Sequence, residues 1–186
     1  MMMLPLIRIL LLFAAVLSAV LSFSAPVRAG EWITDASASC ALWNPNPQSG
    51  EFIRYKGSCK DGLAHGQGLV KWYAAGKLQS VYKGAYRGGK MHGHGVLVFP
   101  DGSRYEGTFL RGQRSGHGAR TWPNGDFFEG SFANNRRHGP GVMDFANGLR
   151  FAGNYDSGKP HGTGDCYTPE RGNWRCQWIE GKLQQQ

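Results

Sequence analysis

Six histidines, four cysteines and thirteen carboxylates are the side chains with which this 186-residue chain could do metal, redox or acid–base chemistry. His65, His92, His138 and His161 each precede the first glycine of a Gly-x-Gly, and His94 and His117 sit inside one. Recurring histidines can bind metal. If each copy is a β-hairpin, however, equivalent positions lie two strand spacings apart, about 9.6 Å. Two ligands of one zinc ion are only ~3.3 Å apart. Only His92 and His94 could share a face closely, and two ligands alone make a weak site. No metal and no cofactor is expected. No serine or cysteine stands in a nucleophile elbow with a histidine and a carboxylate, so no catalytic residue is expected either. Glu106 and Glu129 occupy the same position in two copies, where an exposed cross-strand pair with a basic neighbour accounts for them. The glycines lie in no strand-loop-helix context and no Gly-Lys-Ser/Thr run, which excludes a nucleotide cradle.

The cysteines read differently. Cys40, Cys59, Cys166 and Cys176 stand near the two ends of the chain and form no C-x-x-C, which argues against zinc and for disulfides. Three connectivities are possible, and proximity in sequence favours Cys40 with Cys59 and Cys166 with Cys176. Each pair flanks a turn and could pin one hairpin, contributing ~3 kcal/mol in a chain-entropy account.

What positions these residues is a repeat. Aromatic-x-Gly-x-aromatic occurs at Tyr82-Lys83-Gly84-Ala85-Tyr86, Tyr105-Glu106-Gly107-Thr108-Phe109, Phe128-Glu129-Gly130-Ser131-Phe132 and Phe151-Ala152-Gly153-Asn154-Tyr155, a spacing of 23 residues. Gly-x-Gly follows each, at Gly93/Gly95, Gly116/Gly118, Gly139/Gly141 and Gly162/Gly164. An earlier copy begins at Tyr55-Lys56-Gly57, stretched around Tyr73 to Leu78, and a partial one at Trp174 includes Trp178. Short alternating runs bounded by Asp101-Gly102, Asn124-Gly125 and Asn147-Gly148 indicate tandem β-hairpins. Strand periodicity puts Tyr105, Gly107 and Phe109 on one face, which is therefore aromatic with glycine gaps over which rings can lie. Seven residues after the lead aromatic stand Gly62, Gly89, Gly112, Gly158 and Gly181, with Asn135 in the fourth copy. Asparagine tolerates a left-handed φ best among non-glycine residues, so that position calls for a positive φ.

The Tyr-Glu-Gly-x-Phe, Gly-x-Gly and Asp/Asn-Gly pattern resembles the MORN (membrane occupation and recognition nexus) repeat, from Tyr55 to about Trp178. Departures sit at the ends: Cys59 replaces the second aromatic, Cys176 replaces a glycine, and Arg171-Gly172 lacks the Asp/Asn-Gly turn. The resemblance implies an all-β, single-layer elongated twisted sheet, and histidine before the glycines is usual in the family. It also implies a protein-binding scaffold, with lipid binding as a property of some members.

The expected organisation is a cap at 30–54, repeats at 55–81, 82–104, 105–127, 128–150 and 151–173, and a partial repeat with a C-terminal cap at 174–186. Before them, Arg8, the apolar run from Ile9 to Val20 and the small residues before Gly30 read as a cleaved secretory signal peptide at 1–29. The run is shorter than the ~20 residues of a bilayer-spanning helix. Export puts the chain in a periplasm or outside the cell and excludes nucleic acid as a partner. The rings of Tyr82, Tyr86, Tyr105, Phe109, Phe128, Phe132, Phe151, Tyr155, Trp174 and Trp178 are then the candidate binding face for an unknown protein, since a single sheet has no second layer to cover them. The alternative is attachment to anionic phospholipid or envelope polysaccharide through Lys83, Arg87, Lys90, Arg111, Arg114, Arg136 and Arg137.

Overall fold

The computed structural model describes residues 30–184; the signal-peptide reading of 1–29 lies outside them. The described chain is all β. A first hairpin, β1 (Glu31–Thr34) and β2 (Ala41–Asn44), precedes the repeats. The repeats comprise β3 (Phe52–Lys60) and β4 (Leu63–Ala74), β5 (Lys77–Arg87) and β6 (Lys90–Val98), and β7 (Arg104–Leu110) and β8 (Gln113–Thr121). They continue with β9 (Phe127–Ala133) and β10 (Arg136–Asp144), β11 (Arg150–Asp156) and β12 (Lys159–Thr168), and β13 (Gly172–Ile179) and β14 (Lys182–Leu183). From β3 to β14 each strand pairs antiparallel with the next in one open sheet, as the repeat pattern requires.

Two kinds of turn alternate along it. Where the strands of a repeat meet in two residues, both have positive φ: Arg111 and Gly112 at 52° and 88°, Asn134 and Asn135 at 49° and 68°. These are type I′ turns, whose twist matches that of the strands. Asn135 thus has the expected conformation. Each such turn also binds the preceding repeat, as in Gly112 N–H to the Met91 carbonyl (2.8 Å) and Asn135 N–H to the Arg114 carbonyl (3.1 Å). At the other ends lie wider loops carrying the Asp/Asn-Gly pairs. There the Asp101 and Asn124 side chains accept N–H groups two residues on, and only the glycine has positive φ.

The registers line up Gly57, Gly68, Gly84, Gly95, Gly107, Gly118, Gly130, Gly141 and Gly153 across successive strands, and Gly164 faces Cys176. The lead aromatic of each copy lies over two of these glycines. A Cβ on Gly107 or Gly118 would stand under 3 Å from the Tyr105 ring, and Gly130 and Gly141 are covered by Phe128 in the same way. Register shifts beside this row, together with positive φ at Gly116 and Gly139, bend the strands. Ring edges from the two halves of a strand therefore meet. Tyr55, Tyr86, Tyr82, Phe109, Tyr105, Phe132, Phe128, Tyr155, Phe151 and Trp178 form one chain of contacts with centroids 4.8–5.8 Å apart.

The β1–β2 hairpin closes the first end. Ala41 N–H donates to the Gly62 carbonyl and Trp43 N–H to the Gly89 carbonyl, so the hairpin runs along the tight turns. Asp35 Oδ2 accepts the Tyr55 N–H of the outermost repeat strand (2.9 Å). Cys40 pairs with Cys59 and Cys166 with Cys176, each with Cα atoms 5.8 Å apart, which is the connectivity that proximity favoured.

Candidate functional site

The aromatic residues expected as an open binding face are instead the core. Tyr82, Tyr105, Phe128 and Phe151 are fully buried, and Phe109, Tyr86, Tyr155, Phe132 and Trp178 are at most 7 % exposed; only Trp174 is partly accessible. The bent sheet, the glycine row and a further tier of side chains supply the cover that a flat layer lacks. The lead tyrosines bind back to their own strand, with Tyr105 Oη donating to the Thr108 carbonyl and Tyr82 Oη to the Ala85 carbonyl, both at 3.0 Å.

That further tier is what a partner would meet. Phe99, Trp122 and Phe145 recur 17 residues after successive lead aromatics, at the start of the wide loops, and are partly exposed. Facing them, nine residues after each lead aromatic, are Ala64, Met91, Arg114, Arg137 and Pro160. The two rows form the walls of a groove crossing the strands, open as two separate hollows. The hollow at one end is lined by Trp43, Trp72, Met91, Leu97 and Phe99 with Glu51, and the one at the other by Trp122, Arg137, Met143, Phe145, Pro160 and Trp178 with Asp126, Lys159 and Glu180.

Three arginines occupy the middle. Arg120 stands where the other repeats carry Val70, Leu97, Met143 and Cys166, in the row of lead aromatics: it pairs with Tyr105 on one side and Phe128 on the other. Its guanidinium lies 4.7 Å from the centroids of both Phe99 and Trp122, and its Nη2 donates to Ser103 Oγ (3.0 Å). Arg114 lies over Phe99, Tyr105 and Phe132, and Arg137 over Trp122, Phe128 and Tyr155, at 5.3–5.8 Å. Each also donates to the carbonyl of a following turn, Arg114 to Asn135 and Arg137 to Gly158. Among the described residues none of the three forms a salt bridge. Burial, reinforced by the charge of Arg120, pushes Arg114 down to about 10, and burial lowers Arg120 and Arg137 as well.

The other basic residues named from sequence do not form one surface. Lys83 and Arg136 are exposed apart from the groove, whereas Arg87, Lys90 and Arg111 line a hollow at the tight turns beside Trp32 and Leu110. The Lys90 ammonium lies 5.0 Å from the Trp43 ring centroid. Glu106 and Glu129 are surface groups near Arg104, His94 and His117, as their recurrence indicated. Among the described residues no three of His, Cys, Asp and Glu converge on one point.

Sequence reasoning found the lead aromatics and missed the outer tier. Its signal was nevertheless present: aligning the copies puts Phe99, Trp122 and Phe145 in one column and isolates Arg120 as a charge in an apolar one.

A stack of antiparallel hairpins in one open sheet, in register from copy to copy, defines a β-hairpin repeat protein. The repeat pattern is that of MORN at 55–73, 82–104, 105–127, 128–150 and 151–170, more than half of the chain. The protein therefore belongs to the MORN repeat family, whose members are in general not enzymes. No curated protein matches the chain.

Proposed function

We propose that the protein is a non-enzymatic scaffold acting outside the cytoplasm, which holds a segment of a partner protein in the groove between the Phe99–Trp122–Phe145 wall and the facing row. The observation that carries this reading is the groove itself: aromatic side chains and arginine, the residue types that anchor recognition surfaces, remain partly accessible over a core that already satisfies the inner rings. The two disulfides suit an oxidising compartment.

The test is retention from an envelope extract on the immobilised oxidised protein, at low and high salt, beside a Trp122→Asp/Phe145→Asp variant. One partner held at high salt by the parent and released by the variant supports the scaffold. Equal retention by both removes the groove from the function.

A second reading rests on the tight-turn hollow. Arg87, Lys90 and Arg111 surround Trp32 and Leu110, which are 45 % and 49 % exposed, a combination suited to anionic headgroups with an apolar layer beneath. Binding to phosphatidylglycerol vesicles that disappears between low and physiological salt, and with Arg87→Glu/Arg111→Glu, would move the function to that edge.

A further inference from the structure

We infer that the groove selects a peptide segment whose centre is acidic and whose two flanks are apolar. This rests on the scaffold reading above and narrows it to the chemistry of the partner.

The charge lies in the middle of the groove. Arg114, Arg120 and Arg137 are confined to the third and fourth repeats. The corresponding positions before them are Met91 and Leu97, and after them Pro160 and Cys166. Along its length the groove therefore has three cations at its centre, while its two ends combine apolar side chains with the acids Glu51, Asp126 and Glu180.

Nor are the cations needed for cover. Met91 packs against the core at the position of Arg114 and Arg137, and Leu97 and Met143 do so at the position of Arg120. Removing a guanidinium from water costs free energy, and a carboxylate partner normally offsets it. Here the nearest acids, Asp101 and Asp126, favour the charges of Arg120 and Arg137, but among the described residues no carboxylate forms an ion pair with any of the three. Asp101 accepts the Ser103 N–H and Asp126 the Ala146 N–H. Arg114, Arg120 and Arg137 are nevertheless partly accessible, so an acidic ligand can reach the charges that no protein carboxylate pairs.

The spacing of the cations suits an extended segment. Arg114 and Arg120 are on β8 and Arg137 on β10, two strand spacings or about 9.6 Å apart across the sheet. In an extended polyproline-II segment, residues three apart lie on one side about 9.3 Å from each other. Acids at i and i+3 would then meet β8 and β10, with apolar residues beyond them seated beside Leu97 at one end and Phe145 at the other. A uniformly acidic polysaccharide fits less well. It would bring carboxylates against Glu51 at one end and Asp126 and Glu180 at the other.

Selection from a random displayed-peptide library on the oxidised full protein tests this. The comparison is an Arg114→Met/Arg120→Leu/Arg137→Met variant, which installs residue types already present at these positions in other repeats. Arg120→Leu alone is the check should the triple variant not fold. Enrichment of acid-centred, apolar-flanked peptides is expected, with affinity falling roughly thirtyfold or more in the variants. The variants' melting temperatures should be unchanged or raised. Enrichment of apolar peptides without acids, bound equally by parent and variants, overturns the acidic assignment and leaves the scaffold reading standing. No peptide retained, with polygalacturonate or phosphatidylglycerol vesicles bound instead, overturns both.

Discussion

Gly118 lies beneath the Tyr105 ring, opposite Gly107, and the two together leave the depth of a methyl group on each strand. A Gly→Ala change at a compatible site usually stabilises by ~0.4–1 kcal/mol through the unfolded state. At Gly118 the sign should reverse. The added methyl displaces a ring locked between neighbouring rings, and overpacking of this kind costs about 1–3 kcal/mol. A chemical melt of Gly118→Ala should show a lowered midpoint; an unchanged or raised one would mean the ring moves freely. Asp35 offers a second single-residue test. Burial raises its pKa, but the Ser37 hydroxyl and the N–H groups of Tyr55, Ala38 and Ser37 outweigh it and hold the carboxyl at about 2, below the ordinary 3.8. A folded pKa below the unfolded one means stability that is present above about pH 4 and lost as pH falls towards 2. Denaturant midpoints of the parent should fall through that window more steeply than those of Asp35→Asn, which starts lower at neutral pH. Parallel curves would show that the cap does not depend on this carboxylate.

At the level of the turn, Asn135 was legible in sequence because it replaces glycine in a column of glycines, and only a positive φ unites those residues. Its partner was not legible. Asn134, Ser157 and Glu180 also have φ near 50°, at a column with no common residue type, because type I′ geometry is imposed there by strand twist and by the second turn residue. The outer wall was hidden for a related reason. Strand alternation says which residues share a face, but the bend at the glycine row decides which of two aromatic tiers lies inside, and that bend is a property of several strands together. Asn135 also accepts the Arg114 N–H at Oδ1 (2.9 Å), so the turn and the groove meet at one side chain. Asn135→Gly should therefore keep the turn and lose about 1 kcal/mol for the hydrogen bond. Asn135→Ala should lose that and a further ~1–2 kcal/mol of left-handed strain. Equal midpoints for the two variants would mean that φ at this turn is not a constraint.

Across the whole array, each repeat is held by its two neighbours, and the terminal ones have a neighbour on one side only. In such a stack stability is close to a sum of repeat and interface contributions, so the ends open first. The chain of rings shows where the ends are. Cys59 occupies the place of the second aromatic, so the chain stops at Tyr55, and at the other end it stops at Trp178, which among the described residues meets only the rings of Phe151 and Phe145. The disulfides sit at those two points. Cys40–Cys59 ties the first hairpin to the outermost repeat strand, and Cys166–Cys176 ties β12 to β13. Their contribution, ~3 kcal/mol each in a chain-entropy account, should accordingly be local. Hydrogen exchange after reduction should accelerate in β1, β2, β13 and β14 while amides of β6 to β9, in the middle of the sheet, keep their protection. The groove's arginine centre, on β8 and β10, would then outlast its apolar flanks, and peptide binding would weaken on reduction without a matching change in the acid preference. Uniform acceleration across all strands would instead make the array one cooperative unit, with the disulfides acting on the whole fold rather than on its ends.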